Sequence, residues 1–189
     1  MRNLSTSFVL GYHGCDQSTA DKIISGEAFE PSVQEHDWLG RGVYFWEANP
    51  ERGLEWAQER AANPKPKIKI PAVVGGIIDL GRCLDLTTKE SLDLVKAAYA
   101  ELSSAKAKAL PDNGKDKMRR NLDCAVINRL YSLLEEAGEQ PFQTVRGVFT
   151  EGGELYPGAG IEKKTHIQIA VVDPDCIKGA FRPRPYPAL

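Results

Sequence analysis

Three short stretches set polar side chains beside glycines or branched apolar residues in patterns that could do chemistry. In "GYHGC", His13 closes an apolar run and Gly14 follows it. A glycine at a strand end lets a ligand come close to the backbone. The imidazole could then donate to a sugar hydroxyl while the Gly14 main chain meets a carboxamide. In "LGRGVYFWE", two glycines lead into Tyr44, a flat surface on which a heteroaromatic ring can stack for about 0.5–1.5 kcal/mol beyond burial. Strand alternation sends Tyr44 and Trp46 to one face and Val43 and Phe45 to the other. One face can be core and the other a pocket wall, with Trp56 closing the pocket from the next helix. In "THIQIAV", Ile167 and Ile169 point to a core, and His166 and Gln168 point together to the opposite side. The plainer alternatives are a structural histidine at 13, packing roles for Tyr44 and Trp56, and an exposed edge at His166 and Gln168.

The elements that must position these residues follow from pattern and punctuation. "SFVLGYHG" reads as a strand. "STADKIISG" reads as a short helix capped by Ser18 and closed by Gly26. "GVYFWE" is a strand, and "NPERGLEWAQERAAN" is a helix with Asn49 as cap and Pro50 at its first position. One or two strands follow in "KPKIKIPAVVGGIIDLGRCLDL", then a polar helix from Lys89 to Leu110. Leu122, Val126, Leu130, Leu133 and Leu134 fall at helical spacing, with Gly138 as the stop. "QTVRGVF" is a strand, "TEGGELYPGAGIEKK" a long loop, and "THIQIAVVDPDCIKGAF" a strand running into a turn. A proline-rich tail covers 182–189. Clean alternation of strand and helix is missing, so the predicted class is α+β.

The bulk numbers suit one domain, 1–189, with a helical insertion at about 88–138. At 189 residues the chain can bury a sizeable core, and 42% hydrophobic content argues against disorder. The net charge of −2 gives no global signal for nucleic acid. Any such contact would need a local patch, for which "KPKIK" (65–69), "KDKMRR" (115–120), Arg146, Arg182 and Arg184 are candidates. Cys15, Cys83, Cys124 and Cys176 are scattered without a CxxC pair, so no metal site is expected. No signal peptide and no membrane span is evident, which predicts a cytoplasmic protein with no membrane partner.

"GYHG", "LGRGVYF" and "HIQIAVVDPDCI" occur in the order used by ADP-ribosyltransferases. The resemblance is to the branch that includes the poly(ADP-ribose) polymerases and diphtheria-type toxins, and it spans nearly the whole chain. It implies a split β-sheet core with peripheral helices and NAD in the cleft between its halves. It assigns His13 to the adenosine-side ribose, Gly14 to the nicotinamide amide, Tyr44 to nicotinamide stacking and Trp56 to a second aromatic contact. The third catalytic position, usually glutamate, falls on Gln168. Cleavage of the nicotinamide–ribose bond builds positive charge on the sugar, which a carboxylate stabilises and an amide does not. The resemblance therefore implies mono-ADP-ribosyl transfer rather than chain elongation. Glu154 or Glu151 in the long loop could act as base toward an acceptor. Tyr156 could contact that acceptor, and Glu47 lies close to Tyr44 in sequence.

Compact members of this kind resemble toxins of toxin–antitoxin and phage-defence systems. That implies a macromolecular acceptor, with nucleic acid such as RNA favoured over protein, and an antitoxin protein as partner. An NAD glycohydrolase and an inactive NAD- or ADP-ribose-binding module are the alternatives.

Overall fold

A computed structural model describes residues 8–104, 109–114 and 119–184. Lys115 and Lys117 of the second basic run and residues 185–189 of the tail lie outside the described residues. The elements run β1 (Phe8–Asp16), α1 (Gln17–Ile24), β2 (Val43–Glu47), α2 (Pro50–Ala61), β3 (Pro71–Asp79) and β4 (Cys83–Asp85). The helices α3 (Lys89–Ser104) and α4 (Asn121–Glu136) follow, then β5 (Thr144–Phe149), β6 (His166–Val171), a 3-10 turn at Pro174–Cys176 and β7 (Ile177–Phe181).

This is an α+β chain with one seven-stranded mixed sheet, ordered β4-β5-β6-β2-β1-β3-β7. Every pair is antiparallel except β4–β5, which is parallel. A parallel pair cannot be joined by a tight turn. The segment read as a helical insertion is the crossover that links β4 to β5.

Local chemistry accounts for the element ends. Asn49 caps α2 by accepting from the Arg52 amide at 3.0 Å, and Pro50 occupies the first turn. The α1 cap differs from expectation. Asp16, not Ser18, takes that position and accepts from both the Ser18 amide and hydroxyl. A carboxylate satisfies an orphan N–H at a helix start better than a hydroxyl does. The last expected strand also divides. Asp173 and Pro174 turn the chain, and β7 returns to pair with β3.

Each face of the sheet has its own cover. The Phe45 face carries Val43, Phe45, Ile78, Ile169 and Val171, with α1 packed beside it through Ala20 and Ile23. On the Trp46 face, α4 covers Val145 and Ala170 at one end, while α2 lies against β1 and β3 at the other. Between these helical covers runs the middle of β6 and β2, with Gln168 opposite Trp46. No helix among the described residues is long and apolar enough to cross a membrane.

Candidate functional site

The β1–β2 ladder pairs Gly11 with Glu47 and Tyr12 with Trp46, and then stops. The Leu10 carbonyl accepts from the Ala48 amide at 2.9 Å. In an antiparallel ladder the main-chain groups of alternate residues point to the same side, so those of Gly14 also point toward β2. A continued ladder would pair Gly14 with Tyr44. Instead the His13 ring enters the gap, and its Nδ1–H donates to the Tyr44 carbonyl at 2.8 Å. The two strands are wedged apart there, with the Gly14 main chain facing the opening.

Gly14 is required for a second reason. A Cβ added to it would lie 2.2 Å from the Gly53 carbonyl oxygen and 3.2 Å from the Trp56 ring. Helix α2 is seated directly on β1 at this point. Gly14→Ala should cost about 1–3 kcal/mol through overpacking against backbone. A urea midpoint equal to that of the wild type would show that α2 is not packed this closely.

Tyr44 lies beside the wedge on the Trp46 face. Its hydroxyl donates to the Gly40 carbonyl at 2.8 Å and accepts from the Leu39 amide at 3.0 Å. Burial pushes the phenol pKa well above its usual value. Gly40 adopts φ +78°, and a Cβ there would sit 2.8 Å from Ile127. Tyr44 therefore braces the loop entering β2, and its half-buried ring also packs against the α4 cluster. That packing leaves the ring partly exposed rather than fully open.

The His13 ring lies on the Phe45 face, against Phe29 and Phe45 at centroid distances of 5.7 and 5.8 Å. Burial lowers its pKa, outweighing the bond to Tyr44. It does not share a face with Tyr44, Trp56 and Gln168. The residues that come together on the Trp46 face are Gly14, Tyr44, Trp46, Trp56, His166 and Gln168.

Around them runs a row of five rings: Trp38, Phe149, His166, Trp46 and Trp56. Successive centroids are 5.3, 5.6, 6.4 and 5.6 Å apart. Arg120 lies over Trp38 and Phe149, Arg52 over Trp46, and Arg60 over Trp56. The middle of the row is buried, while Trp38 and Trp56 are partly exposed at its ends. Trp38 also lines a cavity of about 390 Å³ between α3 and α4. Its indole N–H donates to Gln168 Oε1 at 2.6 Å. That bond fixes the amide, because an indole N–H can only donate. The Gln168 amide nitrogen is left facing away from Trp38.

The acidic candidates fall in different places. Glu154 is exposed and accepts from the Gly158 amide within its own loop. Tyr156 is exposed as well. Glu151 is buried in an ion pair with Arg52 of α2, accepting from Arg52 Nε at 3.1 Å and from a terminal nitrogen. Glu47 is paired with Arg146, which also binds Asp85. Arg182 is paired with Asp21. Two of the basic residues considered for nucleic acid are thus already matched to carboxylates. Trp38 and Arg52 carried no signal in the sequence. One is a loop tryptophan, the other a single charge in a helix crowded with charges.

No family model matches the chain, and no solved structure matches it. It is similar to a protein of Methanocaldococcus jannaschii described as uncharacterized, with 27% identity over 186 residues, covering 88% of this chain and 83% of that protein.

Proposed function

We propose that the chain transfers ADP-ribose from NAD to an acceptor and releases nicotinamide. The observation that carries this reading is the wedge between β1 and β2. It turns the Gly14 main chain toward an opening flanked by Tyr44 and Trp56, and Gln168 lies on the same face of the neighbouring strand pair. This donor set fits a dinucleotide: main-chain hydrogen-bonding groups for a carboxamide, flat rings for stacking, and an amide for a ribose oxygen. The adjacency of β6, β2 and β1 suits an ADP-ribosyltransferase-like split core. In this proposal the bond from His13 Nδ1 to the Tyr44 carbonyl orients the imidazole, whose Nε2 is the atom for a ribose hydroxyl.

The amide at position 168 supports single transfer over polymer formation. The proposed acceptor is a macromolecule, with nucleic acid favoured, and a toxin or defence role with an antitoxin partner belongs to the same proposal. NAD carrying label on its adenylate should label lysate material that is sensitive to nuclease or protease. Calorimetry should show NAD binding. Absence of both binding and nicotinamide release in lysate would overturn the proposal. Binding without turnover would leave only a binding module.

A further inference from the structure

Among the described residues, two buried side-chain nitrogens find no hydrogen-bond partner: Trp46 Nε1 and His166 Nε2. Trp46 is 4% exposed and His166 6%. Both lie on the Trp46 face, on strands joined by a ladder, with ring centroids 6.4 Å apart. Interior polar atoms are nearly always satisfied by protein, water or ligand, so two neighbouring exceptions need an explanation.

The two atoms are complementary. The indole N–H can only donate. His166 Nδ1 lies 2.7 Å from the Lys164 carbonyl. A carbonyl only accepts, so Nδ1 carries the proton, and Nε2 of the neutral ring keeps its lone pair. A donor and an acceptor on neighbouring rings suit a hydroxyl, which accepts with its oxygen and donates its proton. An ammonium or guanidinium would leave the indole N–H without an acceptor. It would also add a cation beside Arg52 and Lys164, both already within electrostatic reach of His166.

We propose that Trp46 and His166 form a subsite for a single O–H group, and that His166 Nε2 is the base that takes its proton. The inference rests on the NAD-dependent reading above and names the acceptor chemistry: a hydroxyl, from water or a macromolecule, and not an ammonium or guanidinium. In the transfer, the O–H proton passes to Nε2. The oxygen's electron pair forms the bond to the anomeric carbon. The bond from that carbon to the nicotinamide nitrogen breaks, and its pair leaves with nicotinamide.

The surroundings hold the base ready. Burial lowers the His166 pKa. The Lys164 carbonyl and the Glu151 charge oppose this, while the Arg52 and Lys164 charges reinforce it. The ring is therefore neutral at pH 7. The Arg52–Glu151 pair lies against this corner, with the guanidinium 5.9 Å from the Trp46 ring centroid.

NMR on 15N-labelled protein tests the subsite without NAD. The Trp46 indole proton should show a cross-peak to a bound hydroxyl or water, and His166 Nε2 should titrate as a hydrogen-bonded lone pair. An indole proton with no such cross-peak overturns the subsite, even if NAD proves to be no ligand of the protein.

Kinetics test the base. His166→Phe should slow nicotinamide release by at least about 100-fold, with NAD affinity by calorimetry changed less than about threefold. Trp46→Phe, which keeps a ring, should slow release by about tenfold and carries the test if the first variant does not fold. The wild-type rate should fall as pH drops below the ordinary histidine range, because the protonated ring cannot accept. Release at the wild-type rate by either folded variant overturns the base. Turnover with NAD alone assigns the hydroxyl to water, turnover that needs lysate assigns it to a macromolecule, and label on a nitrogen overturns the inference.

Discussion

Arg52→Met should destabilise the fold by about 3–5 kcal/mol, the usual consequence of stranding one member of a buried ion pair. Arg52 and Glu151 are both more than nine-tenths buried. Glu151 has Arg52 as its ion-pair partner among the described residues, so the substitution leaves a carboxylate in the interior with no cation beside it. The reverse change should be milder. Glu151→Gln leaves Arg52 with Glu55 at 3.8 Å and Glu59 at 3.5 Å, both half-exposed carboxylates on its own helix. The double replacement of Arg52 and Glu151 by methionine should recover most of the loss, because no charge then remains buried. At roughly 2–4 °C per kcal/mol for a chain of this length, Arg52→Met should lower the melting temperature by about 10 °C. A loss under about 1 kcal/mol for Arg52→Met would mean that the 150–165 loop is not anchored to α2 through this pair.

Gln168→Glu should raise nicotinamide release by about 100-fold, the scale of one well-placed electrostatic contact in a transition state. The Trp38 indole N–H donates to Gln168 Oε1 at 2.6 Å, and a carboxylate oxygen accepts that bond equally well. The new side chain should keep the native orientation, with its second oxygen replacing the amide nitrogen. Under the proposed NAD chemistry, that exchange would put negative charge where the ribose becomes cationic. The effect should appear in kcat more than in NAD affinity, because the positive charge of the nicotinamide ring moves onto the sugar only in the transition state. Trp38→Phe in the same background should reverse part of the gain by releasing the carboxylate. A folded Gln168→Glu protein that binds NAD with no rise in kcat would place residue 168 away from the scissile bond.

What could be read from the chain was local. The period-two pattern at Val43–Trp46 and at His166–Ile169 gave the correct faces, because alternation depends only on backbone geometry. Asn49–Pro50 and the left-handed Gly138 marked their helix ends for the same reason. The pairings between distant segments could not be read. Nothing in "TVRGVF" announces that it lies parallel to Cys83–Asp85, so the helices between them looked like an addition to the fold. Side-chain partnership was equally hidden. Gln168 gave no sign of Trp38, 130 residues away in sequence, nor Arg52 of Glu151. His13 was found as an unusual residue, but its partner is a main-chain carbonyl, which every residue possesses.

The protein contains three tryptophans, and all of them belong to the five-ring row beside the candidate site. Its near-ultraviolet emission therefore comes from this one neighbourhood, with no distant indole to dilute it. A ligand settling on the Trp46 face would alter intensity or wavelength without any added dye. Each tryptophan replaced in turn by phenylalanine would show which indole reports the change.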